Sequence, residues 1–264
     1  MYTTTVNRVE TKPTPGRASW LAYHTPNSSA HLRLFCFPYG GGGAITYRNW
    51  QKSLPSAVEV CPVQLPGRGG RTIEPSYTSL NEMVRGVANG LLPYFDKPFA
   101  FFGHSMGSIL GFELARYLRR HYSLHPRHLF VSGRRAPQIP DYDPPTYNLP
   151  DGEFKEELRR LNGTPPQVLD HPELMQVMMP LLRSDFAVCQ TYKYVPEAPL
   201  DCRITAFGGL EDKAEVEHLE GWREQTNAHF SLLMYPGDHF FLHQVESQIL
   251  EVVDIQLRKL IQNG

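Results

Sequence analysis

The sequence predicts an α/β fold, in which a mostly parallel sheet carries helices on both faces and a helical insertion interrupts the alternation. Three observations support this prediction. Short apolar runs alternate with amphipathic helical segments, a pattern typical of a parallel sheet covered on both sides. Between residues 141 and 200 there is no convincing strand, and two helical patterns take its place. The length of 264 residues suits one such domain with an insertion, or two small domains.

The strands are predicted from short apolar runs that end at turn-forming residues. The first run, 32–37, stops at Pro38 and leads into the segment 39–43, which we call the glycine loop. The other runs are 58–65, 98–103, 128–133, 203–209 and 230–237, with a short edge strand at 19–23.

The helices are predicted from apolar residues spaced three or four positions apart. Three of them, 79–95, 105–122 and 245–261, belong to the alternating pattern, and Ser79 is placed to cap the first. Two more lie in the helical insertion, one carrying Phe154, Leu158 and Leu161 on one stripe. The other begins near Pro172 and is expected to kink at Pro180.

These patterns divide the chain into three parts. Residues 1–17 are polar and are expected to form a loose N-terminal arm. Residues 18–140 and 201–264 are expected to form the sheet domain, and residues 141–200 the helical insertion, which we interpret as a lid.

Composition argues against several classes of protein. The formal net charge of -1 gives no electrostatic reason to expect binding to nucleic acid or to an anionic membrane. The chain has no run of about 18 apolar residues, and its N-terminus lacks the apolar core of a signal peptide, so a soluble cytoplasmic protein is expected. The four cysteines have no CxxC spacing, so neither a zinc site nor a disulfide framework is expected.

Ser105 is the strongest candidate for a catalytic residue. It lies in GHSMG, which fits the pattern G-x-S-x-G, between a predicted strand and a predicted amphipathic helix. A nucleophile elbow needs this arrangement, in which the serine sits on a tight turn above the sheet edge. The partial positive charge of the helix N-terminus there favours a developing anion. The pattern alone is common by chance, but with its strand and helix it favours a nucleophile over an ordinary turn serine.

A serine hydroxyl needs a base, and in this type of fold the acid and then the histidine follow the serine along the chain, each after a strand. His239 follows the run 230–237 in PGDHFF and is the predicted base. His243 lies four residues later and is the alternative, although it does not directly follow a strand. His104, beside the serine, is interpreted as structural.

Two acidic residues compete for the role of the acid. Glu211 and Asp212 both follow the strand 203–209, and the residues alone do not decide between them. Asp238 is adjacent to the predicted base in sequence and is therefore poorly aimed to orient its ring. Asp201 precedes its strand instead of following it.

An oxyanion hole needs two preorganised N–H donors. One is expected from the backbone of Met106, the residue after the nucleophile, and the other from the glycine loop. Gly40 is the first choice there and Tyr39 the second. A phosphate-binding P-loop is disfavoured because no G-K-[ST] follows the glycines.

Six motifs in order carry a resemblance to a known family: FCFPYGGGG, QLPGRGGR, FFGHSMGS, VSGRRAP, GGLED and PGDHFFL. Together they resemble type II thioesterases, the stand-alone editing enzymes of polyketide and nonribosomal peptide assembly lines. The medium-chain acyl thioesterase of animal fatty acid synthesis is a relative of these enzymes. The resemblance runs from about residue 20 to the C-terminal helix and includes LNGTPP in the helical insertion.

The resemblance implies an α/β-hydrolase fold with a helical lid. It implies Ser105 as nucleophile, Asp212 as acid and His239 as base, and so selects Asp212 over Glu211 by motif position. Family members typically carry an alanine where this chain has Gly40, and a backbone donor survives that change.

The implied reaction is hydrolysis of acyl thioesters held on the phosphopantetheine arm of acyl or peptidyl carrier protein domains, which removes aberrant or stalled acyl groups. No metal or organic cofactor is expected, because the substrate brings its own pantetheine, and a monomer is expected. Three alternatives stay open: an acyltransferase that uses the same triad, a general carboxylesterase, and a non-catalytic partner that binds carrier proteins.

Two further groups of residues suggest contacts with substrate or partner. Methionine adapts to varied apolar shapes, so three methionines of the helical insertion and Tyr39 are candidates for an acyl channel, with lid-to-core packing as the alternative for the methionines. These are Met175, Met178 and Met179. Four arginines are candidates for contact with an acidic carrier protein, with solvated surface as the alternative: Arg119, Arg120, Arg134 and Arg135.

Overall fold

The computed structural model describes residues 19–262, and the predicted arm 1–17 lies outside the described residues. The predicted α/β fold is confirmed: one sheet of parallel strands has the order β2-β1-β3-β4-β5-β6. The strands are β1 (Leu32–Phe37), β2 (Val58–Pro62), β3 (Phe99–His104), β4 (His128–Ser132), β5 (Arg203–Gly209) and β6 (Phe230–Tyr235). Because all of them run in one direction, the loops that follow them meet at one edge of the sheet.

The predicted edge strand at 19–23 is wrong. Only an isolated antiparallel bridge joins Leu21 to Val63, after the end of β2. The extended backbone stops at Tyr23, whose φ of 55° lies in the left-handed region, so the segment cannot continue along β2.

The longer helices lie where the apolar spacing predicted them. They are α1 (Leu80–Leu91), α2 (Met106–Tyr122), α3 (Asp151–Arg160), α4 (Pro166–Leu169), α5 (Pro172–Gln190), α6 (Val216–Glu220), α7 (Phe241–Gln244) and α8 (Glu246–Gln262). The predicted helix 79–95 ends at Leu91 and tightens into a 3-10 turn containing Pro93. Among residues 19–262, none of these helices is long and apolar enough to cross a bilayer.

Alternate strand residues enter two apolar clusters, one on each face of the sheet. In β1, Phe35 and Phe37 belong to the cluster that contains the buried faces of α1 and α2. Leu34 and Cys36 belong to the cluster that contains the buried face of α8. Since successive side chains of a strand point to opposite faces, this division explains why the strands are apolar throughout.

The helical insertion has a small apolar core of its own, formed by α3, α4 and α5. Phe154, Leu158 and Leu182 are buried in it. Pro172 occupies the first turn of α5, and the helix continues through Pro180 to Gln190.

Arginines of α2 hold the segment that leads from α5 back to β5. Arg119 donates hydrogen bonds to the carbonyl oxygens of Ala198 and Pro199, both at 2.8 Å. Arg119 and Arg120 also pair with Glu197. These two candidates for an acidic partner are therefore already engaged by the chain itself.

His128 is a buried, partly unsatisfied polar group within β4. Its Nε2 lies 2.9 Å from Thr205 Oγ1 and its ring stacks on Phe130 at 4.0 Å, but its Nδ1 has no hydrogen-bond partner within residues 19–262. Burial lowers the pKa of His128 to about 3, so the ring is neutral in the folded protein.

This histidine should make the fold sensitive to acid. In the unfolded chain the pKa of His128 is about 6.5, so the unfolded state binds the extra proton below that pH. Folding stability is full above pH 6.5 and falls as the pH drops towards 3, by about 2 kcal/mol at pH 5 from this group. When the pH is lowered from 7.5 to 5, we expect the urea unfolding midpoint to fall less in His128→Phe than in the parent.

Thr205 keeps a partner in this variant, because its Oγ1 also lies 3.1 Å from Ser231 Oγ. The buried His104, whose pKa is also lowered, contributes a slope of the same sign, and His128→Phe leaves that contribution in place. Equal pH slopes in parent and variant would contradict the assignment to His128.

Candidate active site

Ser105 occupies a strained turn between β3 and α2. Its φ of 53° and ψ of -112° are rare for a residue with a side chain, and its N–H donates to the carbonyl oxygen of Ser132 at 2.7 Å. Two glycines make the turn possible. A Cβ at Gly103 would lie 2.1 Å from the carbonyl oxygen of Gly107, and one at Gly107 would lie 2.1 Å from that of Phe37. The motif therefore supplies the close packing of strand and helix that holds the hydroxyl above the sheet.

A hydrogen-bonded chain joins Ser105 to the acid and the base that the motifs suggest. His239 Nε2 lies 2.9 Å from Ser105 Oγ, and His239 Nδ1 lies 3.0 and 3.1 Å from the two carboxylate oxygens of Asp212. Since an ionised carboxylate only accepts hydrogen bonds, Nδ1 carries the proton and Nε2 is free to accept from the serine. The arrangement can take a proton from the hydroxyl and return it.

Asp212 meets His239 because the loops after β5 and β6 approach closely. A Cβ at Gly209 would lie 2.5 Å from the carbonyl oxygen of Gly237, whose own φ of 117° suits glycine. Across this contact the N–H of Glu211 donates to Gly237 at 3.1 Å. The backbone of Glu211 is thus used to join the loops, and the carboxylate at His239 is that of Asp212.

His104, the last residue of β3, is buried beneath the base, and its ring packs against Phe241 at the start of α7. Its Nδ1 lies 2.9 Å from Ser132 Oγ, and its Nε2 lies 2.9 Å from the backbone oxygen of His239. The backbone oxygen can only accept, so Nε2 donates. Burial, with a smaller effect of the nearby His239, lowers the pKa of His104 well below its usual range. His104 therefore stays neutral and fixes the backbone of the base, which agrees with the structural role expected from the sequence; its contact with His239 was not predicted.

His243 does not contact the serine. It is exposed, and its Nε2 lies 3.1 Å from the hydroxyl of Tyr39. Tyr39 packs edge-on against His104 and Phe240, at ring-centroid distances of 5.8 and 5.2 Å. Tyr39 thus links the glycine loop to the loop that carries His239.

The two expected oxyanion donors lie on neighbouring segments. Met106 is the first residue of α2, where a backbone N–H has no acceptor within the helix. Within residues 19–262, the backbone N–H of neither Met106 nor Gly40 donates to another protein group. The contact of Gly107 with the carbonyls of Phe37 and Pro38 brings the start of α2 against the glycine loop.

A cavity of about 1150 Å³ opens over this site. Ser105 and His239 line it from the sheet domain, together with Tyr39 and Gly40. The helical insertion covers it with side chains of α5 and its neighbours: Leu158, Met178, Leu182 and Phe186. This volume lies just above the range of about 300–1,000 Å³ that is typical of small-molecule sites.

Only one of the three methionines lines this cavity. All three pack in the core of the helical insertion, but of the three only Met178 also lines the cavity. Met175 and Met179 are four residues apart and therefore lie on one face of α5, which packs with Phe154 of α3 and Leu169 of α4. The expectation that all three line an acyl channel is therefore corrected for Met175 and Met179.

Among residues 19–262, one cluster of side chains offers metal-ligating atoms, and two of its members lie on β2. His24, Glu59 and Cys61 have ligand atoms within 4.8 Å of one another. Glu59, however, already pairs with Arg33 at 3.0 Å and with His24 at 2.6 Å. Burial raises the pKa of the Cys61 thiol, which keeps it protonated. The carboxylate is thus held by Arg33 and His24 and the thiol is uncharged, so we assign no metal to the cluster.

Residues 32–259 match the model of the thioesterase domain family. The chain belongs to the thioesterase family. This thioesterase is 48% identical over 243 residues to the gramicidin S biosynthesis protein GrsT of Aneurinibacillus migulanus, covering 92% of this chain and 95% of GrsT. It is 47% identical over 256 residues to the linear gramicidin dehydrogenase LgrE of Brevibacillus parabrevis, covering 96% and 97% of the two chains.

Solved structures support the same family. The type II thioesterase BorB from the borrelidin biosynthetic cluster superposes with a TM-score of 0.81 at 33% identity, over 90% of this thioesterase and 98% of BorB. The resemblance to type II thioesterases noted from the motifs is confirmed by these relatives.

Proposed function

We propose that this thioesterase hydrolyses acyl thioesters held on the phosphopantetheine arms of carrier protein domains, with Ser105, Asp212 and His239 as its catalytic triad. The observation that carries the proposal is the hydrogen-bonded chain from Asp212 through His239 to Ser105, at the floor of the cavity beneath the helical insertion.

The first half of the reaction forms an acyl-serine. Ser105 Oγ attacks the thioester carbonyl carbon while His239 Nε2 takes its proton. Asp212 holds the ring in the required tautomer and stabilises the imidazolium that forms. The backbone N–H groups of Met106 and Gly40 donate to the oxyanion, and losing one such donor costs about 3 kcal/mol of transition-state stabilisation.

The first half ends when the C–S bond breaks: the pantetheine sulfur leaves with the proton from His239, and the acyl-serine remains. The second half releases the acid. A water molecule loses a proton to His239 and attacks the acyl-serine. Collapse of the second tetrahedral intermediate returns the proton to Ser105 Oγ and frees the carboxylic acid. The chain supplies every proton transfer that this sequence of steps needs.

The biological role we propose is removal of stalled or aberrant acyl groups from a polyketide or nonribosomal peptide synthase. GrsT and LgrE are named for gramicidins, BorB is a type II thioesterase from the borrelidin biosynthetic cluster, and the similar ClbQ belongs to the colibactin NRPS/PKS pathway, which supports this role. The partners are then acyl or peptidyl carrier domains. A monomer acting in the cytoplasm without a metal or organic cofactor stays a prediction from the sequence.

The name of LgrE denotes a dehydrogenase, and dehydrogenation needs a nicotinamide or another redox cofactor. The chain has no G-x-G-x-x-G dinucleotide fingerprint, and the glycine loop leads into a 3-10 turn instead of a long helix. The serine-based site therefore favours hydrolysis for this chain.

The decisive experiment is intact-mass analysis of an acyl-loaded carrier protein incubated with the parent enzyme or with Ser105→Ala. We expect the parent to return the carrier to its free-thiol mass and to release the free acid, and Ser105→Ala to do neither. Equal activity of Ser105→Ala would overturn the proposal. Acyl groups recovered on an added amine or alcohol would indicate an acyltransferase. Faster turnover of matched oxygen esters would indicate a carboxylesterase. If a serine-directed covalent reagent did not label the parent, the protein would instead be a non-catalytic partner.

Met178 should set the chain length that the cavity accepts. We expect Met178→Trp to lower kcat/KM for decanoyl relative to acetyl thioesters by about 10-fold, because the indole fills space that the longer chain needs. Val177→Trp is the matched control, since Val177 is 68% exposed on the same helix. An unchanged acyl profile in Met178→Trp would contradict the channel assignment.

A further inference from the structure

A buried ion pair joins the helical insertion to the oxyanion side of the site. Asp185 on α5 is fully buried, with 0% of its surface exposed. Arg68, from the loop after β2, donates from Nη1 and Nη2 to the two oxygens of Asp185, both at 2.7 Å. The same carboxylate also accepts the backbone N–H of Gly41 at 2.7 Å. One carboxylate therefore holds two segments of the sheet domain.

The guanidinium reaches the glycine loop as well. Arg68 Nη1 donates to the carbonyl oxygen of Gly42 at 2.9 Å. Gln64 in turn donates from its side chain to the carbonyl oxygen of Arg68 at 2.9 Å, which fixes the loop that presents the arginine. The glycine loop is thus held at Gly41 by the carboxylate of Asp185 and at Gly42 by the guanidinium of Arg68.

The glycine loop lies directly against α5. A Cβ at Gly41 would lie 2.6 Å from Leu182 Cδ2, and the φ of Gly41 is 76°. A Cβ at Gly40 would lie 3.6 Å from the Cβ of Asp185. Consecutive glycines restrict their own dihedral angles very little, so hydrogen bonds from outside the loop must fix its conformation. Asp185 and Arg68 supply them.

We propose that Asp185 is a positioning residue for the oxyanion hole. By holding the N–H of Gly41 and the guanidinium of Arg68, it sets the orientation of the neighbouring Gly40 N–H. The hole is complete only when α5 is docked on the glycine loop, so the helical insertion takes part in catalysis as well as in covering the cavity. This inference rests on the role given to Gly40 in the proposed function.

A purely stabilising ion pair is the alternative, and it makes a different prediction. A buried ion pair can often be replaced by apolar side chains of similar volume without loss of stability. The double variant Arg68→Met/Asp185→Leu removes both charges and also the acceptor for Gly41. If the pair only stabilises the fold, this variant should work like the parent enzyme. If the pair positions the loop, the variant should fold but turn over slowly.

The test compares the parent, Asp185→Asn, the double variant and the control Asp151→Asn. The control breaks a different contact of α5, the 2.6 Å ion pair between Arg183 and Asp151. Turnover is measured with octanoyl-N-acetylcysteamine thioester. Ground-state binding is measured by inhibition with the matched thioether, in which a CH₂ group replaces the thioester carbonyl and leaves the oxyanion hole without a ligand. The rate of labelling by an alkyl fluorophosphonate reports the oxyanion hole without any thioester.

We expect kcat and the labelling rate to fall together by about 10- to 100-fold in Asp185→Asn and in the double variant. KM and the thioether inhibition constant should stay within about 3-fold, because the pair acts on the transition state. Asp151→Asn should match the parent in every measurement, since it leaves the glycine loop untouched. Circular dichroism and thermal unfolding establish whether each variant is folded. If Asp185→Asn does not fold, the comparison of the double variant with the parent still tests the inference.

Two outcomes overturn the inference: parent-like kcat and labelling in the folded double variant, or an equal loss in Asp151→Asn. Failure of the proposed function looks different. A parent enzyme that is labelled by the fluorophosphonate but leaves thioesters intact would remove the thioesterase assignment, while the labelling rates would still decide the role of Asp185.

Discussion

Replacing Asp212 with asparagine is expected to lower kcat about 10⁴-fold while leaving the fold intact. Asp212 accepts from His239 Nδ1 at 3.0 and 3.1 Å, which keeps the proton on Nδ1. An asparagine can instead direct its NH₂ group at Nδ1, which favours the tautomer with the proton on Nε2. That nitrogen then has no lone pair for the hydroxyl of Ser105, and the nucleophile is not activated.

Release of N-acetylcysteamine from an acyl thioester measures the effect, with circular dichroism as the check on folding. Glu211→Gln is the matched control, because Glu211 is the neighbouring carboxylate and is exposed. We expect Glu211→Gln to stay within about 3-fold of the parent. A larger loss in Glu211→Gln than in Asp212→Asn would assign the acid to Glu211 and contradict the geometry.

The contrast between these two carboxylates shows where sequence reasoning stops. The residues alone place both after β5, and adjacent positions in a loop differ only in the direction in which each side chain points. That direction depends on the contact of Gly209 with Gly237, which brings two distant loops together. The positions of the strands along the chain and the elbow at Ser105 were predictable because each is a local pattern of apolar runs and glycines.

Contacts between distant segments were not predictable from local patterns. Arg68 and Asp185 are 117 positions apart, and each belongs to a segment whose partner the sequence does not indicate. The methionines of α5 illustrate the same limit on a smaller scale. Their clustering was visible, but only the phase of the helix against α3 and α4 turns Met178 to the cavity and Met175 away from it. Helices α4, α6 and α7, of 4, 5 and 4 residues, are too short to show a period.

Of the two glycines of α2, Gly107 is the one where replacement by alanine is expected to damage stability and activity more. Its Cβ would lie 2.1 Å from the carbonyl oxygen of Phe37 and 2.9 Å from that of Pro38. Both atoms belong to backbone, so no side-chain rotation relieves the overlap. We expect a loss of at least about 3 kcal/mol of unfolding free energy. Urea unfolding measures this loss, and kcat/KM should fall at least about 100-fold in whatever protein folds.

Gly111→Ala is the matched control, one turn along the same helix. Its Cβ would lie 3.4 Å from the Phe37 ring, an ordinary contact with a side chain. Alanine favours a helix over glycine by about 1 kcal/mol, so this variant should equal or exceed the parent in stability and keep its activity. Both variants add a methyl group near Phe37. In Gly107→Ala it meets the backbone of Phe37, and in Gly111→Ala it meets the ring. Parent-like activity in Gly107→Ala would mean that the start of α2 does not rest on the end of β1. Met106 and Gly40 would then lack the contact that brings their two N–H groups to one oxyanion.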